Sequence, residues 1–482
     1  MSKIVIVGAG TAGLISAAYF TNTFQNASVE LYYNGKNRSI GVGEGTADGF
    51  ANFLTNVLNI PASEFLKHVE SSVKLGINFK DWLPNSEYYH GFEVTDKIFD
   101  MDNYSSIIEI LSDNYKGGKN FNDATNTIPD IPFDDYRIAY HIDTNSFSDY
   151  LFKLLETKVK FVQDIITHVD VENNNIKSIK GRKSGIITAD LFVDCSGLNK
   201  RLIKHLDAKW EDLSDTFIIN SAIPYQFNHN YDEIPSYTLS QATQDGWIWQ
   251  IPFAERYGTG YLYSDKFTME HDAKYRFCDW LDNKHDEDPT LNNTIKWDAG
   301  YYKESWVGNC LSIGLSSGFI EPMEATNISM ILTQLEAFYE VNYTLSGLSY
   351  NRYSYNKIVN DAQDILLKII SLHYCTNRLD SEFWRYMTNN KTDWVLSFEE
   401  KLKEEYYMGV EGTNEEDFDD LLQIAMGLNM ISKDAIIKCI TLRNNGKHLM
   451  EQSKEHSNYL TKCKEYNWVS HKHVLKTLRE VS

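Results

Sequence analysis

The side chains best suited to chemistry lie between Gly318 and Ile328, in Gly-Phe-Ile-Glu-Pro-Met-Glu-Ala-Thr-Asn-Ile. Glu321 and Glu324 stand around Pro322, just after the apolar run Cys310–Leu315. A strand closing on glycine, then proline, then a polar turn that opens a helix forms a small-anion site. The first N–H groups of such a helix have no partner within it and point outward. A carboxylate held there can act as a base on a bound neighbour; it can equally be an ordinary acidic first turn that suits the helix dipole. Three other stretches carry candidate groups. In Ser72–Trp82, Val73, Leu75, Ile77 and Phe79 alternate with Lys74, Asn78 and Lys80, a strand pattern whose ordinary outcome for Lys74 is a solvent-facing ammonium. Tyr89-His90-Gly91-Phe92 sets His90 and Phe92 two apart, on one strand face. Gly246–Pro252 sets Trp247 and Trp249 on one face, where two rings either wall a cavity or pack a sheet.

These groups need a scaffold, and the N-terminus supplies its signature. The apolar run Lys3–Val7 leads into Gly8-Ala9-Gly10-Thr11-Ala12-Gly13 and then a helical stretch to Thr23. Strand, glycine turn and helix is the context of a dinucleotide fingerprint. Gly8 permits the tight turn, Gly10 admits a pyrophosphate, and Gly13 lets helix pack on strand. The second strand, Val29–Tyr33, ends in Tyr33-Asn34 rather than an acidic residue, and Glu30 comes three residues early. The ribose contact is therefore expected from a neighbouring side chain. Gly41-Val42-Gly43-Glu44-Gly45-Thr46 is a second glycine-rich loop before a helix to about Leu58. Asp190–Gly197 reads as a buried returning strand. Ile218–Pro224, Tyr237–Leu239, Gly246–Pro252 and Gly260–Tyr263 alternate like an inserted antiparallel sheet.

Between these lie a polar excursion over about 94–135, a helix over Ala139–Glu156, and strands near Val159–Gln163, His168–Val171 and Ile176–Lys180. Helices are expected at Asp361–Leu372, Phe398–Glu404, Phe418–Leu428 and Ala435–Leu442. The fold class is α/β, with a Rossmann-type nucleotide-binding core.

Net charge is −21 over 482 residues, so neither nucleic acid nor an anionic membrane is expected as a partner. The six cysteines make no metal-ligand spacing and read as free thiols in a reducing compartment. The thirteen histidines contain no HExxH; His471 and His473 form a lone HxH, and no metal site is expected. No run reaches membrane-spanning length, and the expectation is a soluble, intracellular, cytoplasmic protein.

Several stretches together resemble the flavin-dependent halogenases of the tryptophan halogenase family. They are Gly8–Gly13, Gly41–Glu44, Lys74 ahead of Asn78–Trp82, His90-Gly91-Phe92 and Ala139-Tyr140-His141. Further along come Asp190–Gly197, Trp247–Pro252, Trp306–Cys310 and Gly318–Ile328. Order and spacing match over about 3–390, and the two-tryptophan strand ending in Ile-Pro is the most specific piece. The resemblance implies an FAD-binding fold like that of para-hydroxybenzoate hydroxylase, with an inserted sheet and a C-terminal helical region. It suggests a core over 1–380, with nucleotide-binding pieces at about 1–60, 139–205 and 300–345, an inserted sheet at about 206–299, and a helical region over 381–482.

It also implies a reaction. A separate flavin reductase supplies FADH2; with oxygen, a halide becomes hypohalous acid, which travels a tunnel to a lysine and then to an electron-rich indole, phenol or aniline. By position Lys74 is that lysine, and Glu324 is the base for the ring proton. The halide, chloride, bromide or iodide, sits by the N–H groups of Thr326 and Asn327. Flavin contacts fall on Gly8, Gly10, Thr11, Ala12, Gly13, Gly41, Val42, Gly43, Glu44, Gly314, Leu315 and Ile328. Trp247 and Trp249 wall the site, and His90 and Phe92 touch substrate.

The chain departs from the family in three places. Glu324-Ala325-Thr326-Asn327 replaces Glu-Ser-Thr-Gly, removing a serine hydroxyl and a pocket glycine. Asn327 changes the backbone freedom of the halide pocket, although asparagine tolerates unusual dihedrals better than most residues. Gly314-Leu315 replaces Gly-Asp at a ribityl contact. A pocket suited to bromide or iodide is one consequence. The alternatives are an oxygen-inserting flavin monooxygenase and a flavin-binding protein without turnover.

Overall fold

The computed structural model describes residues 2–35, 42–47, 49–91, 127–129, 139–282, 289–342, 351–403, 421, 423–430 and 468–480. The chain divides into two compact units. One comprises Met1–Ser71, Ile142–Asn220 and Ile295–Asp364; the other comprises Ser72–His141, Ser221–Thr294 and Ile365–Ser482.

The first unit is built on a sheet in the order Trp306–Val307, Cys310–Ser312, Leu191–Asp194, Ser2–Val7, Ala27–Tyr33, Val159–Gln163. Four of its five pairings are parallel, with Val7 opposite both Asp194 and Tyr32. A parallel sheet is covered on both faces, which is why Ile4, Val5, Ile6, Phe192 and Val193 form an unbroken apolar run with no exposure at all. The helix Thr11–Thr23 packs between Thr144–Leu155 and Thr326–Asn342. It is apolar around most of its girth, as its buried Leu14, Ile15, Ala17, Ala18 and Phe20 require. Phe20 meets Phe338 edge to face at 5.5 Å.

In the second unit a sheet runs Ser221–Asn228, Arg256–Tyr263, Gly246–Pro252, Tyr237–Ala242, Gly76–Lys80, Glu87–Gly91. All its pairings are antiparallel except Tyr237–Ala242 with Gly76–Lys80. Trp82, Trp247, Trp384 and Tyr374 cluster beside it, with Trp82 ring centroids 5.8 Å from Trp384 and 5.4 Å from Tyr374. The C-terminal strand Trp468–Ser470 pairs with Thr127–Pro129 and leads into the helix His471–Glu480.

The inserted sheet and the returning strand form as expected. The stretch Ala139–Glu156 is not one helix: Ala139–Ile142 is a buried strand, and the helix is Thr144–Leu155. Asp143 sets that start by accepting the Ser146 amide at 2.6 Å, an N-cap that the apolar spacing conceals. Helices at Ala62–His68, Glu270–Asp282 and Glu382–Asn389 were not expected from the sequence. The excursion expected at 94–135 lies, apart from Thr127–Pro129, outside the described residues, as does the helix expected at 435–442.

Candidate active site

In the first unit the glycine turn is built as its sequence requires. Gly8 has φ +115, and a Cβ there would lie 2.2 Å from the Cys195 carbonyl oxygen. A Cβ on Gly13 would lie 1.9 Å from the Gly8 carbonyl oxygen, so helix and strand touch backbone to backbone. Gly10 is different: a Cβ there would meet nothing within 4 Å. Gly10 is also the N-cap of Thr11–Thr23 and brings no capping side chain, so the amides around Thr11 and Ala12 face open space. An uncapped helix N-terminus beside an empty glycine cradle fits the pyrophosphate of a dinucleotide.

Gly314, at φ +67, fits against the same helix start, where its Cβ would come 2.9 Å from that of Ala12. Leu315 is half-buried and Ile328 buried nearby in sequence. Asp194 ends the returning strand and ties down its loop, accepting the amides of Ser196 at 3.0 Å, Leu202 at 2.7 Å and Ile203 at 3.0 Å. Glu30 is already engaged by Lys160 at 2.9 Å, Lys3 at 3.2 Å and the Tyr32 hydroxyl at 2.8 Å. Burial would raise its pKa, but those hydrogen bonds outweigh burial and hold it below the usual value.

The turn after Gly318–Phe319 holds two adjacent left-handed residues that are not glycine. Trp297 donates its indole N–H to the Ile320 carbonyl at 2.7 Å. Glu321 is buried and Glu324 half-buried. Glu324 (φ +59) and Ala325 (φ +55) are both left-handed, and Thr326 (φ −72) then begins Thr326–Asn342. A left-handed residue followed by a right-handed one turns successive amides toward a common point, the backbone form of an anion nest. The unusual dihedrals are thus on Glu324 and Ala325. Asn327 has an ordinary helical backbone, because the helix has already begun. Its side chain instead donates to Glu44 at 3.4 Å. Burial raises the Glu44 pKa, and the Asn327 hydrogen bond works against that rise. Gly43 is left-handed (φ +84) and Val42 half-buried; Gly41 lies outside the described residues.

In the second unit Lys74 ends the strand Ser71–Lys74 and is fully buried, with no exposed surface. The solvent-facing outcome is overturned: every residue from Ser71 to Phe79 is buried, so both faces of this stretch are covered. The strand is pinned at three successive points around the lysine. Ser72 donates its hydroxyl to the Pro252 carbonyl at 2.5 Å, at the end of the two-tryptophan strand. The Val73 amide donates to His471 Nε2 at 3.0 Å, and the Leu75 amide donates to the Ser236 carbonyl at 2.7 Å.

His141 lies 3.0 Å from Ser72 Oγ through Nδ1 and 2.8 Å from Thr238 Oγ1 through Nε2. Because the single Ser72 proton goes to Pro252, His141 Nδ1–H donates to the Ser72 hydroxyl. Burial, then the neighbouring Lys74 and His471, drive its pKa well below the ordinary value, so the ring is neutral and Nε2 can accept from Thr238.

His90 is buried opposite Ile77, and Phe92 lies outside the described residues. Trp247 is buried and Trp249 half-buried. Trp249 lies flat over its cross-strand partner Gly260, where a Cβ would come within 1.9 Å of the indole. Among the described residues Cys195, Cys310 and Cys375 are buried free thiols and Cys278 is half-buried. No group of three or more His, Cys, Asp or Glu among them could hold a metal ion, and no described helix is long and apolar enough to cross a membrane.

A family model described as tryptophan halogenase matches residues 3–434. The chain belongs to the tryptophan halogenase family. It is 29% identical over 429 residues to the tryptophan 7-halogenase RebH of Lentzea aerocolonigenes, covering 80% of this chain and 78% of that protein. To the tryptophan 6-halogenase ThaL of Streptomyces albogriseolus it is 29% identical over 443 residues, covering 84% and 81%. In fold it is similar to Tar14, a tryptophan C-6 flavin-dependent halogenase from taromycin biosynthesis, at TM-score 0.83, 23% identity and 100% of both chains. It is similarly close to Xcc4156, a flavin-dependent halogenase from Xanthomonas campestris, at TM-score 0.81, 21% identity, 99% of this chain and 98% of the other.

This halogenase is therefore an enzyme with an FAD-binding Rossmann-type fold, and its family implies FAD as cofactor and a halide as substrate. Three groups around Lys74 escaped the sequence reading: Ser72, Thr238 and His471. Their partners are 180, 97 and 398 positions away, so no local spacing links them.

Proposed function

We propose that this halogenase uses FADH2 and oxygen to halogenate an electron-rich aromatic ring of the indole, phenol or aniline type, with Lys74 relaying the halogen. When bound, the reduced flavin supplies the oxidising chemistry that turns halide into hypohalous acid. Gly10 and the uncapped start of Thr11–Thr23 hold its pyrophosphate, and the amides at Thr326 and Asn327 hold the halide. Trp247 and Trp249 keep bulk water from the oxidant. Lys74 binds the hypohalous acid through its ammonium, or, as the neutral amine, captures it as a haloamine with release of water, and presents halogen to the ring carbon. Glu324 takes the proton lost from that carbon. His90 and Phe92 border the arene.

The observation that carries this reading is the complete burial of Lys74 on a strand pinned at Ser72, Val73 and Leu75. A lysine is almost never buried this fully unless its surroundings are built to hold it. A generic flavin reductase, a panel of indoles, phenols and anilines, and each halide in turn, read by mass, test the proposal. Halide-dependent addition of halogen is expected. Oxygen insertion that ignores halide would make the protein a monooxygenase, and flavin retention without substrate-dependent turnover would make it a binding protein.

A further inference from the structure

Beyond the family-matched residues 3–434, the helix His471–Glu480 returns to the strand that carries Lys74. His471 is fully buried, accepts the Val73 amide at Nε2 (3.0 Å) and lies 3.2 Å from the Pro235 carbonyl through Nδ1. These two bonds fix the ring plane and the tautomer, and only a neutral imidazole can make both. The same end of the helix is clamped twice more: Ser470 Oγ donates to Glu233 at 3.0 Å, and Lys472 donates to the Tyr231 carbonyl. The segment Pro235–Ser236 therefore holds the backbone on both sides of Lys74. Ser236 takes the Leu75 amide directly; Pro235 takes the Val73 amide through the imidazole.

We propose that His471 is a positioning residue for Lys74, bridging Pro235 to the Val73 amide so that the C-terminal helix fixes the direction of the lysine side chain. This rests on the relay role proposed above for Lys74. Burial, followed by the Arg479 charge, holds His471 down at about 4, so the imidazole stays an acceptor across the neutral range. His141, which lies within electrostatic reach of both His471 and Lys74, is neutral as well.

The test compares Lys74→Ala, His471→Phe and His471→Gln, reading arene halogenated against hypohalite caught by a diffusible trap. His471→Phe keeps the volume and removes the acceptor. It is expected to cut the arene-to-trap ratio about tenfold or more, since a small displacement of a reacting group is enough for that. Total oxidised halide should stay near the parent level. His471→Gln, whose side-chain carbonyl can take the Val73 amide, should recover most of the ratio.

If Lys74→Ala keeps the parent ratio, the relay reading fails. If Lys74→Ala abolishes arene halogenation while His471→Phe keeps the parent ratio, only the positioning role is overturned. Should His471→Phe not fold, a folded His471→Gln with the ratio still down tenfold overturns it as well. Hydrogen exchange read by mass gives an answer without any variant: in the parent protein the Val73 amide must be protected, and exchange at the free rate would overturn the proposal.

Discussion

The glycine turn makes two opposite predictions for two superficially equal substitutions. Gly13→Ala puts a methyl 1.9 Å from the Gly8 carbonyl oxygen, and both atoms belong to packed backbone that cannot yield cheaply. Overpacking of this kind costs about 3 kcal/mol. At roughly 2–4 °C per kcal/mol for a unit of this size, the melting temperature should fall by about 6–12 °C. Gly10→Ala puts its methyl into space with no atom within 4 Å. The apoprotein should lose at most about 1 kcal/mol, the difference between glycine and alanine at an N-cap. The methyl would nevertheless stand where a pyrophosphate approaches the helix amides. Losing one charge-assisted hydrogen bond, about 1.5–3 kcal/mol, weakens FAD binding roughly tenfold to a hundredfold. Flavin fluorescence titration and melting of the apoprotein separate the two effects. Parent-like FAD affinity in Gly10→Ala would refute the assignment of that open space to the cofactor.

Two further predictions concern acid and halide. His471 sits near 4 in the folded chain against an ordinary 6.5, and His141 is lowered too. The unfolded chain therefore binds more protons between those values. The stability these rings contribute is complete above about 6.5 and is lost as pH falls toward 4, by about 3 kcal/mol for His471 alone; urea melts that were flat from pH 6.5 to 4 would contradict this. Asn327→Gly removes the 3.4 Å hydrogen bond to Glu44 and restores the residue usual in the family. In competition between equimolar halides, the parent is expected to favour bromide or iodide, and the variant to shift toward chloride by about 2–10-fold, the worth of one such hydrogen bond; chloride dominance in the parent would sink the idea.

What was legible in the sequence followed from local pattern. Gly8 and Gly13 declare strand, turn and helix because each answers a separate close backbone contact, and Gly10 leaves open space beside the helix start. The two-tryptophan strand announces itself by alternation, although that Trp249 lies over Gly260 depends on cross-strand register. Alternation misled at Lys74, because it assumes one wet face and this stretch has none. Apolar spacing alone predicts a helix through Ala139–Ile142; the decisive signal is the N-cap Asp143, which starts the helix at Thr144. The sequence marked Ala325 and Asn327 in the altered turn, and the left-handed backbone falls on Glu324 and Ala325, since helix Thr326–Asn342 already claims Asn327. His471 was invisible: an HxH beside a C-terminal helix gives no hint of a partner 398 positions away.

The central claim is that a buried lysine carries halogen to the arene, and replacing it is the direct test. Parent and Lys74→Ala are supplied with the same reductase, bromide and an indole, and the products are weighed. The account predicts brominated indole from the parent and near-complete loss of it in Lys74→Ala, with flavin still bound and oxygen still consumed. Bromination by Lys74→Ala at the parent rate would contradict it.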